Sequence, residues 1–594
     1  LTRHHRFFKI KCDGARPICG PCQRSPKDDP CEYADSPGRS RVRALEETVL
    51  RLEARLREYE HPEETPSMVL CDPYQSGQGL GSDAIVRVNI DDPLSSYSTH
   101  SSPSSFFRIS PLRSSHTGGS SDTAELRIAL PGTRSLLEWF FSNAVSFGFF
   151  LEHSRFSDSA LLPLDFGHQS RPCPGLLSTV YLWGIHLSPQ TQHKDLEHTL
   201  LMRALRDTAS DISTSNPHPH RFMHTIQAET LLGYYFFRNG NILEAKRHAS
   251  SAASLALGCG LNTLRSSHEQ QQWSSNINLP PPQDAIEEGE RINAFWATFT
   301  LYRDVAVTVD PPRSLCGIFD TSGCQIDTPW PLDMDMYKKN ILPRRSSMTI
   351  HEFLNHIQQS DDENQLASVT NVITKASLLL HQASFVAGQY DPNMPTSEAQ
   401  TLFATFKSVQ QLISSLQSQL SPLEKLDHQN QNLSALREIY LAHSLIYGSI
   451  IRLNEIFSDS NADCRKHCLK SAQAMIHGGG FDVAEFGCVN PIMGTLWTLA
   501  CQTLVQEIIC LRSLRTGEVQ GSWPYFLSQS SEPASISSLS YRRDNLHDKG
   551  DLHLDNEAPL LASLQRGLSA LTFFSTNSPL MDKSFLTSSL SNDR

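Results

Sequence analysis

KCDGARPICGPCQRSPKDDPCEY, residues 11–33, gathers Cys12, Cys19, Cys22 and Cys31 at the spacing C-x6-C-x2-C-x8-C. The whole 594-residue chain has only 14 cysteines. Two thiolates three residues apart can grip one tetrahedral ion, and two more can arrive from the flanks after tight turns. Pro17, Pro21, Pro26 and Pro30, with Gly14 and Gly20, supply that turn chemistry. So few apolar side chains accompany them that the segment is expected to fold through metal coordination rather than a core. Zinc suits an all-sulfur tetrahedral set with no redox duty, and an iron–sulfur cluster is the lesser alternative.

Charge points the same way. The chain carries a net −12, yet from Arg3 to Arg24 there are six Lys or Arg and a single acid, Asp13. A basic N-terminus on an acidic body suggests a local surface for nucleic acid. No signal peptide and no apolar run near eighteen residues is evident, so the sequence supports neither secretion nor a membrane span. The cysteines then read as thiols of a reducing compartment rather than a disulfide frame.

Beyond residue 35 comes a basic linker, GRSRVR (38–43), and then an unbroken helical pattern from Val42 to Tyr59, ended by His61-Pro62. In heptads, Val42, Val49 and Leu56 fall at a, and Leu45, Leu52 and Tyr59 at d. Two β-branched a residues facing Leu at d favour a parallel two-stranded coil. Arg41 and Arg55 at g would meet Glu46 and Glu60 at e of a partner, pairs worth about 0.5 kcal/mol each. The competing reading is a helix packed on the rest of the chain.

Residues 62–130 are Ser-, Gly-, Pro- and Thr-rich and cannot bury enough surface to offset chain entropy, so they read as a disordered linker. From 131 to about 515 the pattern changes to long apolar segments at 3.6-residue spacing, among them AETLLGYYFF, ERINAFWATFTLYRDVAV, LREIYLAHSLIYGSIIRLN and MGTLWTLACQTLVQEIICL. The fold class expected is mostly α: a small metal module (1–35), a linker and coil (36–61), a disordered linker, a large all-α body, and a Ser-rich, mostly disordered tail (516–594). No 34-residue period recurs, which argues against a helical solenoid.

RFFKIKCDGARPICGPCQRSPKDDPCEY resembles the DNA-binding module of fungal binuclear zinc cluster (Zn2Cys6) transcription factors, in which six cysteines hold two zinc ions. The family's last four cysteines map onto Cys12, Cys19, Cys22 and Cys31. Its first two would fall at positions 2 and 5, where this chain has Thr2 and His5. A mononuclear site from the four thiolates is one expectation. A sequence clipped or mis-spliced upstream of Arg6 is the other, and the start at Leu rather than Met bears on it. As written, the chain is expected to bind fewer than two zinc ions. The resemblance puts Lys9 at the family's base-reading position, with Arg6 and Lys11 toward phosphates of a double-stranded DNA carrying CGG-type half-sites. The body resembles the family's all-helical middle homology domain over roughly 133–350. The resemblance implies a nuclear, homodimeric regulator of RNA polymerase II transcription, working with the transcription machinery or co-regulators. Two rival readings are a dimerising regulator that no longer binds DNA because its cluster is incomplete, and a helical enzyme with an accessory zinc domain.

Motifs for enzyme chemistry are thin, and no catalytic residue is expected. SDDENQ (360–365) lacks the D-D-x-x-D spacing of a diphosphate–metal site and reads as a loop. CRKHC (464–468) reads as a helix with two half-buried thiols. NPHPH (216–220) reads as a loop, because Pro217 and Pro219 are poor scaffolding for a metal pair. No phosphate-binding Gly loop and no G-x-S-x-G occurs.

Overall fold

The computed structural model describes residues 132–189, 194–213, 218–267, 279–315, 317–321, 324–355, 368–423, 432–516, 557–576 and 578–581. Among these the chain is helical, with no strand beyond one isolated bridge between Ser266 and Ser346. The helices are α1 (Thr133–Phe141), α2 (His153–Ala160), α3 (Pro174–Leu187), α4 (Lys194–Asp211) and α5 (Arg221–Arg238). They continue as α6 (Ile242–Gly258), α7 (Ala285–Val309), α8 (Met334–Lys338), α9 (Thr349–Leu354) and α10 (Val369–Gln389). The C-terminal set is α11 (Thr396–Ser418), α12 (Leu433–Asn454), α13 (Ala462–His477), α14 (Ile492–Thr516) and α15 (Glu557–Ser575).

Side-chain chemistry marks many of the helix starts. Asp284 caps α7 by accepting from the Glu287 N–H, and Glu287 and Glu288 place negative charge in the first turn. Ser368 caps α10 on Asn371, and Asn461 caps α13 on Asp463 and Cys464. Gly478, at φ 55°, ends α13 in the left-handed conformation that a side chain resists.

Many pairings follow chain order, with α3 on α4, α5 on α6, α6 on α7 and α12 on α13, while α10 lies extensively on α12. α5 and α6 form a hairpin through Asn239, Gly240 and Asn241. α5 is the central rod, since every residue from Thr225 to Arg238 is buried; a helix wrapped on all sides has no solvent face to keep polar. α7 touches α5 and α6 on one side and α10 and α14 on the other, which joins the two halves into one core. Trp183, Trp296 and Trp497 are among its largest buried side chains. Each indole N–H has an acceptor, respectively Leu231 O (3.0 Å), Pro329 O (2.7 Å) and Tyr440 Oη (3.0 Å). Gly184 allows α3 to approach α1 closely: a Cβ there would stand 2.6 Å from Leu136 O.

The expectation that 516–594 is a mostly disordered tail needs correction over α15. Leu560, Ser563, Gly567, Leu571 and Phe574 recur every three or four residues and bury one face of this 19-residue helix against α13 and α14. The Phe574 ring stacks on Trp497 at 5.4 Å, and Gly567 makes room for the Cys501 thiol. Ser flanks on both sides hid an amphipathic repeat that is present in the sequence. After α15, Ser578 Oγ donates to Arg238 O (3.0 Å) at the end of α5.

Candidate metal centre and nucleic-acid interface

Cys12, Cys19, Cys22 and Cys31, the basic Arg6, Lys9 and Lys11, the heptad residues Val42, Leu45, Val49, Leu52, Leu56 and Tyr59, and the SDDENQ stretch all lie outside the described residues. The donor set itself can be tested against the metal that its spacing suggests. Four soft thiolates complete one tetrahedral zinc, and they fall two short of the six that share two ions. One ion therefore fits the residues present. Just ahead of Cys12 in the sequence, Arg6, Lys9 and Lys11 are residue types whose donors suit guanine N7 and O6 or phosphate oxygens.

Within the helical body, ionisable side chains are built into the packing. Arg303 on α7 is 2% exposed and donates two bonds to Asp320, at 2.6 and 2.7 Å. Burial would raise the Asp320 carboxyl, but these guanidinium bonds outweigh it and hold it below the usual range. His381, facing Arg303 at 2.8 Å, is pushed well down by burial and then by the guanidinium, so it is neutral. Next to this set, the Asp304 carboxyl accepts from Ser377 Oγ at 2.6 Å and is raised to about 7 by burial. Glu438 accepts from Ser146 Oγ at 3.0 Å and is likewise raised to about 7. The neighbouring Arg437 caps α1 through the Ser142 carbonyl and reaches the Cys488 carbonyl.

Two carboxylate–imidazole pairs bear on the enzyme reading. Glu197 faces His186 Nδ1 at 2.7 Å, and Arg238 Nε donates to His186 Nε2 at 3.1 Å. Glu229 faces His248 Nδ1 at 2.5 Å, and Arg247 Nη2 meets His248 Nε2 at 2.7 Å. A general base needs its outer nitrogen free for the proton it takes. Here a guanidinium occupies that nitrogen in both pairs, so each is a structural relay between helices.

CRKHC lies on α13 as expected, but its thiols are buried rather than half-buried. Cys468 is 0% exposed with Sγ 3.7 Å from Ile451 O, and burial raises both thiols. His218 of NPHPH stands in a turn before α5. It is brought not only toward His220 but also to His224 and Cys173. No spacing signal in the sequence could reveal this trio, because Cys173 and His224 are 51 positions apart.

A cleft of about 460 Å³ opens between α2, α3 and α4, with Phe166, Arg171, Tyr181 and Arg203 in its wall. Its cations already have partners: Arg171 donates to Leu164 O and Ala160 O, and Arg203 pairs with Asp207 and covers the Phe166 ring. No helix among the described residues is long and apolar enough to cross a membrane.

Residues 6–40 match the family model described as the fungal Zn(2)-Cys(6) binuclear cluster domain. That interval takes in all four N-terminal thiols and all three basic residues, and it begins immediately after His5. Such domains mark fungal zinc-cluster DNA-binding transcription factors, which gives the N-terminal segment zinc and DNA as its chemistry. Nothing matches the chain among the curated proteins or the solved structures compared with it.

Proposed function

We propose that the chain is a zinc-dependent, sequence-specific DNA-binding regulator of RNA polymerase II transcription, nuclear, and homodimeric on CGG-type half-sites. The observation that carries this reading is the family match over residues 6–40, in which four thiols directly follow the basic R-x-x-K-x-K run. Cys12, Cys19, Cys22 and Cys31 hold the metal, which supplies the cross-links that a core of five large apolar side chains cannot. Lys9 reads guanine, while Arg6 and Lys11 neutralise phosphates and so make binding salt-dependent. Val42, Leu45, Val49, Leu52, Leu56 and Tyr59 form the parallel seam that sets two modules side by side. The helical body is the regulatory domain of the middle homology kind and the surface for co-regulators; no catalytic role is assigned.

Thr2 and His5, at the two positions where the family has cysteine, favour one second reading: a dimerising regulator that has lost DNA binding. Gel-shift on DNA with paired CGG triplets separates the two. The chain is expected to shift this DNA in a zinc-dependent way, and Thr2→Cys with His5→Cys is expected to tighten binding. Leu52→Pro should abolish binding to the paired site and spare a single half-site. No shift with or without the two restored cysteines would overturn the DNA-binding reading. An unchanged paired-site complex in Leu52→Pro would overturn the dimer.

A further inference from the structure

Cys173 stands at the residue before the first turn of α3, with no capping bond from its side chain, which is fully buried. Two imidazoles converge on it from a different part of the chain. His224, in the first turn of α5, accepts the Cys173 N–H at Nδ1 (3.2 Å). His218, just before α5, sets Nε2 2.8 Å from Arg171 O. A carbonyl can only accept, so Nε2 of His218 carries the proton and Nδ1 keeps its lone pair. That lone pair takes the His220 N–H at 3.2 Å. The rings of His218 and His224 lie 5.1 Å apart, and the exposed His220 stands 6.0 and 5.6 Å from them. One donor atom from each of Cys173, His218 and His224 lies within 4.8 Å of the other two.

We propose that Cys173, His218 and His224 form a metal site of the zinc class in the helical body, separate from the N-terminal thiolates, with its fourth position open to solvent beside His220. One thiolate and two imidazoles are a borderline-soft donor set, suited to Zn2+ or Co2+ and unsuited to Mg2+ or Ca2+. A tetrahedral ion with bonds of roughly 2.0–2.3 Å holds its ligands about 3.5 Å apart, so from separations of up to 4.8 Å the trio would close by at most about 1.3 Å. The Arg171 carbonyl on His218 Nε2 is the outer partner that ligating histidines ordinarily have, fixing tautomer and ring orientation. Arg171 is itself 8% exposed and held by two carbonyls, so this partner is rigid.

On binding, the Cys173 S–H bond breaks and an S–metal bond forms. The thiol proton leaves to solvent, and both imidazoles stay neutral. The two 3.2 Å bonds, from Cys173 N–H and His220 N–H, give way to the ion. The site would lock the start of α3 to the start of α5, two helices already joined further along by the Trp183–Leu231 and His186–Arg238 hydrogen bonds.

The test uses the full chain with Cys12, Cys19, Cys22 and Cys31 changed to Ser, so that the N-terminal donors are silent, and Co2+ as the probe. One equivalent is expected per chain, with tetrahedral d–d absorption and a single thiolate-to-cobalt charge-transfer band. Cys173→Ser in that background should remove the band. X-ray absorption on the four-serine chain needs no further substitution and should count one sulfur per cobalt. Failure of the folded four-serine chain to hold cobalt, a sulfur count of zero or at least two, or a band that survives in Cys173→Ser would each overturn the site. None of these outcomes bears on DNA binding by residues 6–40.

Discussion

Residues 6–40 contain four thiols and only Phe7, Phe8, Ile10, Ile18 and Tyr33 as large apolar side chains, whereas α5 alone buries fourteen consecutive residues from Thr225 to Arg238. The first segment is expected to owe its shape to a few strong, directional bonds to an ion. The second owes its shape to many weak contacts, each contributing little. The contrast teaches where each region is fragile. A metal module fails when any one ligand goes, because a structural ion supplies nearly all its folding free energy. A helical core degrades in increments, with a cost that tracks the volume removed.

Three substitutions set these regimes against each other. Cys22→Ser should reduce affinity for CGG-containing DNA at least about 100-fold while the far-ultraviolet circular dichroism of the body stays unchanged, since about 10 kcal/mol or more of metal binding is at stake in such modules. A concurrent loss of helicity would show that the two regions are not independent. Trp497→Ala removes a side chain 1% exposed that stacks on Phe574 and donates to Tyr440. It should lower the stability of the body by about 3–5 kcal/mol, read from urea midpoints, and leave zinc stoichiometry at the N-terminus intact.

The third and smallest effect depends on pH. Asp304 is raised to about 7 in the folded chain, from an ordinary carboxyl value near 3.8. The folded form therefore holds a proton that the unfolded form gives up, and its contribution is full below about 4 and lost as pH climbs toward 7. Asp304→Asn keeps the shape and can still bond Ser377. It should flatten the fall in melting temperature between about pH 4 and pH 7 relative to wild type, with an upper bound of about 4 kcal/mol at neutral pH. Glu438 and Glu290, also raised to about 7, act in the same direction and would leave a residual slope. An unchanged slope would mean that Asp304 is ionised in the fold.

The helices that carry most of the core were legible from spacing. α5, α7, α12 and α14 each show apolar residues too long-running for strands, and Asp284 before α7 is a readable start signal. α15 was legible in principle through Leu560, Leu571 and Phe574 but was masked by the Ser-rich context that flanks it. The buried charges were not legible at all. Nothing local tells that Arg303 finds His381, or that Cys173 meets His224, because these pairings arise when helices distant in sequence pack. The N-terminal thiols stand at the other extreme, since their whole signal is local spacing.

The position of α15 has a temporal consequence. Its apolar face covers α13 and α14, and residues 578–581 close over the turn after α5, with Ser578 bonded to Arg238 from 340 positions away. During synthesis, Trp497 and Cys501 must wait for a stretch that leaves the ribosome well after them. A nascent chain halted before residue 557 would display that hydrophobic seam to chaperones and proteases. Premature stop codons within α15 should therefore act by clearing the polypeptide from the cell.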